Sequence, residues 1–180
     1  MHTQDVTPQM AQLKEKIRNV PDFPKPGILF YDITTLLKDR AGFRDAVEAL
    51  ASPFADAGVD VVVGIESRGF ILGGAVADRL QAGFVPVRKP GKLPSKSVRE
   101  TYALEYGTDA LEMHEDAVGA GARVLIVDDV IATGGTAKAT AALVRRLGGE
   151  VHALAFLVEL EFLKGRAQLA GERIHTVVRY

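Results

Sequence analysis

Two hydrophobic periods alternate along this chain, one helical and one extended. Near the start, Met10, Leu13 and Ile17 fall on one face of a short helix, which Thr7 opens as N-cap with Pro8 in the first turn. Pro21, Pro24 and Pro26 then interrupt regular structure through PDFPKPG (21–27). Phe43, Val47, Leu50 and Phe54 mark a second helix from about residue 39 to 57, with Pro53 kinking or shortening its end.

Two strand-loop-helix units follow. VDVVVGIE (59–66) is a β-branched run of the kind buried on both faces of a parallel sheet, and it passes through Ser67-Arg68-Gly69 into a helical stretch ending near Gly83. RVLIVDD (123–129) repeats the pattern, leading through VIATGG into TAKATAALVRRL, which Gly148-Gly149 stops. A third apolar run, VHALAFLVEL (151–160), succeeds that helix directly, and a shorter strand, FVPVR, lies at 84–88. This alternation predicts an α/β fold, with an open, mainly parallel sheet flanked by helices and joined by right-handed crossovers.

Residues 89–118 break the alternation. KPGKLPSKS is polar, cationic and rich in turn formers, and reads as a mobile loop. ETYALEYG and DALEMHEDAV each alternate with a period of two and are split by Gly107, which predicts a β-hairpin. In it Tyr102, Leu104 and Tyr106 share one side, and Thr101, Ala103 and Glu105 the other. No internal repeat or linker appears. The 180 residues read as one domain, 1–180, with the first 35 or so as a small N-terminal appendage.

Composition narrows the function classes. A formal net charge of −1 supplies no global positive field for nucleic acid or anionic membrane. The absence of cysteine excludes disulfides, thiolate metal sites and thiol nucleophiles. There is no charged-then-apolar leader and no apolar stretch long enough to span a bilayer, so a cytoplasmic location is expected. His2, His114, His152 and His175 have no histidine partner three or four positions away, so no histidine metal site is expected, and His114 is expected at the surface.

The most informative segment is VLIVDDVIATGGT (124–136). Its strand delivers Asp128 and Asp129 to the carboxyl edge of the sheet, where open α/β folds bind ligands. The turn Ala132-Thr133-Gly134-Gly135-Thr136 has small side chains and two glycines, so its N–H groups can curl around a phosphate at a helix N-terminus. The carboxylates would repel a bare phosphate, and adjacent sugar hydroxyls suit them better, with a cation nearby to offset charge. The loop lacks both G-x-G-x-x-G and G-x-x-x-x-G-K-[ST], which argues against dinucleotide and nucleoside triphosphate sites. Ser67-Arg68-Gly69 closes the other unit with a turn and a planar guanidinium suited to pyrophosphate, or to a surface carboxylate. Arg88, Lys89, Lys92 and Lys96 crowd the next strand end, as an anion site or as a solvated face.

These residues resemble the signature of the type I phosphoribosyltransferases. The likeness covers nearly the whole chain. PDFPKPGILFYDIT, ESRGF, RKPGKLP, YALEYG, VDDVIATGGT and LVELEFLKGR stand in the order of the family's adenine-using branch. The resemblance implies a purine salvage enzyme that transfers ribose 5-phosphate from phosphoribosyl pyrophosphate to adenine, giving AMP and pyrophosphate. It implies that Asp128 and Asp129 bind the ribose hydroxyls and that Ala132, Thr133, Gly134, Gly135 and Thr136 bind the 5-phosphate. Ser67, Arg68, Arg88, Lys89 and Lys92 would meet pyrophosphate, with the cationic loop closing over the donor.

The proline-rich segment would form a hood that reads the base by backbone. The Leu29 carbonyl would accept from the exocyclic amine, the Tyr31 N–H would donate to N1, and Leu29 and Val130 would sandwich the ring. Phe30 is expected in the core. Ala132 stands where the hypoxanthine-guanine relatives carry an aspartate proposed as acid/base, so proton transfer must use another group, and the resemblance implies Glu105, which matches the one proposed in the adenine-using branch. By resemblance the cofactor is Mg²⁺, held mainly by substrate and water rather than by direct protein ligands, and the enzyme is a homodimer. Two alternatives stay open: another purine acceptor, such as xanthine or hypoxanthine, or a non-catalytic regulator on the same fold.

Overall fold

The computed structural model describes residues 8–103 and 107–180. Helix α1 (Pro8–Glu15) leads into an antiparallel pair, β1 (Arg18–Pro21) and β2 (Leu29–Asp32), across the proline-rich turn. A short helix α2 (Thr34–Leu37) precedes α3 (Arg40–Ala51), whose N-cap Asp39 accepts from the Gly42 N–H at 2.7 Å. The expected end near residue 57 comes earlier, because Ser52-Pro53-Phe54 turns into a single 3₁₀ turn.

The first strand-loop-helix unit is β3 (Val61–Ile65) and α4 (Arg68–Leu80), followed by β4 (Gly83–Val87). The hairpin forms from β5 (Ser97–Ala103) and β6 (Thr108–His114), in the register Ala103↔Thr108 to Ser97↔His114. The second unit is β7 (Arg123–Ile131) and α5 (Gly135–Arg146), followed by β8 (Glu150–Glu159). A closing strand, β9 (Ile174–Arg179), adds an edge that sequence periodicity did not single out.

All pairings in the five-stranded central sheet are parallel, in the order β4-β3-β7-β8-β9. From β3 the chain winds outward to β4, and from β7 it winds the other way to β8 and β9. The crevice between β3 and β7 is therefore the point where winding reverses, and ligands of such sheets bind outside the strand ends there.

Strand alternation sorts the core into two layers. Leu125 and Val127 of β7 pack with Leu50 of α3 and with Leu72 and Val76 of α4. Val124 and Ile126 pack with Leu143 and Val144 of α5 and with Leu111 and Met113 of the hairpin. His114 is half-buried rather than at the surface, and its Nε2 has no hydrogen-bond partner among the described residues. Phe30 lies outside the core, since β2 belongs to the small two-stranded sheet. It is half-buried, edge-on to Phe23 at 5.2 Å.

Candidate active site

Alternation along β7 decides where the acidic pair points. Asp128 has the parity of Val124 and Ile126 and faces the α5 layer. Asp129 has the parity of Leu125 and Val127 and faces α4. The pair lies where β7 loses one neighbour before the other. Its pairing with β3 stops at Val127, whereas its pairing with β8 runs on to Ile131. The strand thus continues past the carboxylates, and the opening beside them is on the β3 edge.

Asp128 is 8 % and Asp129 6 % exposed. Arg68, the first residue of α4, forms an ion pair with Asp129, and the Asp129 N–H donates to Asp128 Oδ1 at 2.8 Å. Burial pushes the Asp128 carboxyl well above the usual carboxylate range, and the neighbouring Asp129 charge pushes it further.

The glycine loop curls between β7 and α5. Gly134 is the N-cap of α5 with φ +87°, a conformation that a side chain would strain. A cavity of about 200 Å³ opens at this point. Ala132, Thr133, Gly134 and Thr136 line one wall, and Glu66, Lys89, Asp128 and Val130 stand on the others. A larger cavity, about 820 Å³, lies on the far side of the loop between β5 and α5. Thr133 borders both, but only the smaller one also holds Asp128 of the acidic strand end and Lys89 of the cationic segment.

The cations converge on a carboxylate that sequence reasoning passed over. Glu66 follows β3 directly, and its Oε2 accepts from Arg88 Nε at 3.3 Å and from the Lys89 N–H at 2.9 Å. Its Oε1 accepts from Lys92 Nζ at 2.5 Å. Burial pushes the Glu66 carboxyl up, but Lys92, the Lys89 N–H and Arg88 outweigh it and hold it below its usual value. The cationic segment expected as a mobile loop is thus tied at its base, and the Gly91 N–H is held by Glu112 at 3.0 Å. Lys89 Nζ also pairs with Asp109 and meets the Tyr102 hydroxyl at 3.1 Å, which links this segment to the hairpin. Ser67 is exposed at the N-cap of α4.

The hood stands beside α4. Leu29 is 44 % exposed, and the Tyr31 ring stacks on Tyr180 with centroids 3.8 Å apart. The Arg68 guanidinium lies 5.6 Å from the Phe30 ring centroid, so the hood touches the residue that pairs with Asp129. Leu29 and Tyr31 have the same parity in β2, so their backbone groups leave the strand by the same edge.

Sequence and structure comparisons agree with this fold. The family model for the phosphoribosyl transferase domain matches residues 32–178. The adenine phosphoribosyltransferase of Acidobacterium capsulatum is 60 % identical over 168 residues, 93 % of each chain. The chain belongs to the adenine phosphoribosyltransferases. A crystal structure of the Rhodothermus marinus adenine phosphoribosyltransferase superposes with a TM-score of 0.92 at 58 % identity, over 96 % of this chain and 98 % of that one. The Saccharomyces cerevisiae enzyme, complexed with D-2,5-dideoxy-2,5-imino-altritol 1,6-bisphosphate and adenine, superposes with a TM-score of 0.89 at 40 % identity, over 94 % of this chain and 98 % of that one.

Within the chain the fold joins most of the residues singled out by sequence. Asp128, Val130, Ala132, Thr133, Gly134, Thr136 and Lys89 share one cavity. Arg88 and Lys92 connect to it through their ion pairs with Glu66, and Asp129, paired with Arg68, connects through its N–H bond to Asp128. Gly135 begins α5 against the Tyr102 ring, and Leu29 and Tyr31 sit apart on the hood. Glu105 lies outside the described residues; its described neighbour Ala103 ends β5 near Gly135.

Proposed function

We propose that this chain transfers the 5-phosphoribosyl group from phosphoribosyl pyrophosphate to adenine, releasing pyrophosphate and AMP, at the crevice between β3 and β7. The observation that carries this reading is the single cavity that joins a buried carboxylate, a glycine phosphate loop and a cationic segment.

Each of these four cations has an acidic partner within the chain: Arg68 on Asp129, Arg88 and Lys92 on Glu66, Lys89 on Asp109. The donor supplies both kinds of replacement. Its ribose hydroxyls donate to Asp128 and Asp129, and its pyrophosphate oxygens accept from the freed cations. The 5-phosphate rests on the N–H groups of Ala132 to Thr136 at the start of α5. As the C1–O bond to pyrophosphate breaks, positive charge develops on the sugar, and the cations stabilise the leaving group. Adenine N9 forms the new bond to C1 and gives up its proton, which Glu105 accepts.

The cofactor is Mg²⁺. Among the described residues no group of three or more histidine, aspartate or glutamate side chains forms a metal cluster. The buried pair Asp128 and Asp129 fits an ion bound chiefly by substrate and water, which these carboxylates would hold through hydroxyls and water. When bound, the ion neutralises charge on the pyrophosphate oxygens.

The hood selects the base. A Leu29 carbonyl and a Tyr31 N–H on one strand edge match an exocyclic amine and an acceptor N1, and a purine with the reverse pattern leaves both unpaired. With Mg²⁺ and the sugar donor, pyrophosphate release is expected with adenine and not with hypoxanthine, guanine or xanthine. Turnover of hypoxanthine without adenine would sink the assignment.

The working unit is a homodimer, and Ile71 and Phe84 support this, because they leave an apolar face 48 % and 38 % exposed on α4 and the edge strand β4. Light scattering is expected to give the mass of two chains, and Ile71→Glu to shift it toward one. A two-chain mass unchanged by that substitution would place the interface elsewhere. The compartment is the cytoplasm, since a highly charged sugar donor does not cross a bilayer unaided.

A further inference from the structure

The phosphate loop rests on a second backbone segment. After β8 the chain makes a 3₁₀ turn, Gly165–Leu169, whose first residue is buried against the loop. A Cβ on Gly165 would lie 2.3 Å from the Ala132 carbonyl oxygen and 2.9 Å from Ile131 Cγ1. In return, a Cβ on Gly134 would lie 2.4 Å from the Gly165 carbonyl oxygen. Two backbones in such contact cannot shift independently. Gly165 has no positive φ, so what it requires is close approach, not a left-handed turn.

That turn is pinned by a buried carboxylate. Glu159, the last residue of β8, is 5 % exposed. Arg166 grips it with two bonds, Nε to Oε1 at 2.6 Å and Nη2 to Oε2 at 2.8 Å. The Thr176 hydroxyl of β9 donates to Oε2 at 2.9 Å. Burial pushes the Glu159 carboxyl up, and Arg166 and Thr176 outweigh it and hold it below its usual value. Glu159 is also in register with Ile131, the residue just before the phosphate loop, and the Leu160 N–H donates to the Ile131 carbonyl at 3.0 Å. A buried carboxylate gripped by a planar fork is held in one geometry.

We infer that Glu159, Arg166 and Gly165 are positioning residues for the phosphate loop: the Arg166–Glu159 fork sets the turn, and the Gly165 backbone sets the height of Ala132 to Gly134. This rests on the reading that residues 132–136 hold the 5-phosphate. None of the three lines the cavity beside the loop. A misplacement of the loop by a fraction of an ångström weakens its N–H bonds to phosphate while leaving the hood untouched.

Calorimetric titration with ribose 5-phosphate, alongside steady-state kinetics, separates the possibilities. Arg166→Met and Gly165→Ala are expected to weaken ribose 5-phosphate binding about tenfold or more and to raise KM for the sugar donor in step. KM for adenine at saturating donor stays within about twofold, because β2, which carries Leu29 and Tyr31, pairs with β1 and not with the turn. Arg166→Lys, which keeps the charge and loses the fork, recovers part of the loss. Ribose 5-phosphate binding by a folded Arg166→Met within twofold of the parent overturns the inference. If that variant does not fold, the same result with Arg166→Lys and Gly165→Ala overturns it. Thr136→Pro, which removes one of the loop's N–H donors within the first turn of α5, tests the underlying reading separately. Undiminished ribose 5-phosphate binding there removes the loop's role and this inference with it, whereas loss there without loss in Arg166→Met rejects the buttress alone.

Discussion

Asp128→Asn is expected to unfold at a higher temperature than the parent at neutral pH and yet to lose about two orders of magnitude or more in kcat/KM for the sugar donor. The two effects have one cause. Asp128 is buried beside Asp129, so its folded-state pKa lies well above its unfolded value. A carboxyl raised in this way adds stability only below its unfolded pKa, and that stability is lost as pH rises through the folded value. At neutral pH the ionised form is a cost, which asparagine removes. Its amide oxygen can still accept from the Asp129 N–H, as the carboxylate does at 2.8 Å.

Catalysis needs the charge that stability does not. Each hydrogen bond between a ribose hydroxyl and a carboxylate is worth about 1.5–3 kcal/mol, and asparagine keeps none of them at full strength. Thermal unfolding across pH checks the first half: the gap between variant and parent should close as pH falls toward ordinary carboxylate values. A variant less stable than the parent at neutral pH would contradict the account. Asp129→Asn gives the opposite stability sign, because that carboxylate is the partner of Arg68.

Glu105→Gln is the second large effect. General acid-base catalysis contributes about 10²–10⁴-fold, so kcat should fall by that order while KM for the donor changes by less than about twofold. Glutamine keeps the size and the hydrogen-bonding reach of glutamate and removes its capacity to take the proton from N9. Ala132 makes this test sharp, since no carboxylate stands within the phosphate loop to take over. Unchanged turnover would remove Glu105 from the mechanism and leave the proton to solvent.

Periodicity read the central architecture well, because strands buried on both faces leave continuous β-branched runs such as VVVGI and VLIV. It read β1, β2 and β9 poorly. β1 and β2 are four residues each, too short for alternation to register, and β9 shows its character only once it pairs with β8. Among site residues, the acidic pair and the glycine loop were legible since local chemistry required them together. Glu66 was not, although a carboxylate directly after a buried strand and ahead of three cations was a usable signal.

The sequence by itself determined the family, through motifs that resemble its signature. Small residues, two carboxylates and a helix start within thirteen positions make a ligand-binding strand end legible from local spacing alone. Only the tertiary structure decided how that segment is charged and held. Which face each aspartate takes follows from sheet parity and from where β3 stops. The partners of Arg68, Arg88, Lys89 and Lys92 come from 20 or more residues away, and the support beneath the loop comes from Gly165. Contacts between segments so far apart along the chain leave no spacing to read, because they are set by how the layers pack.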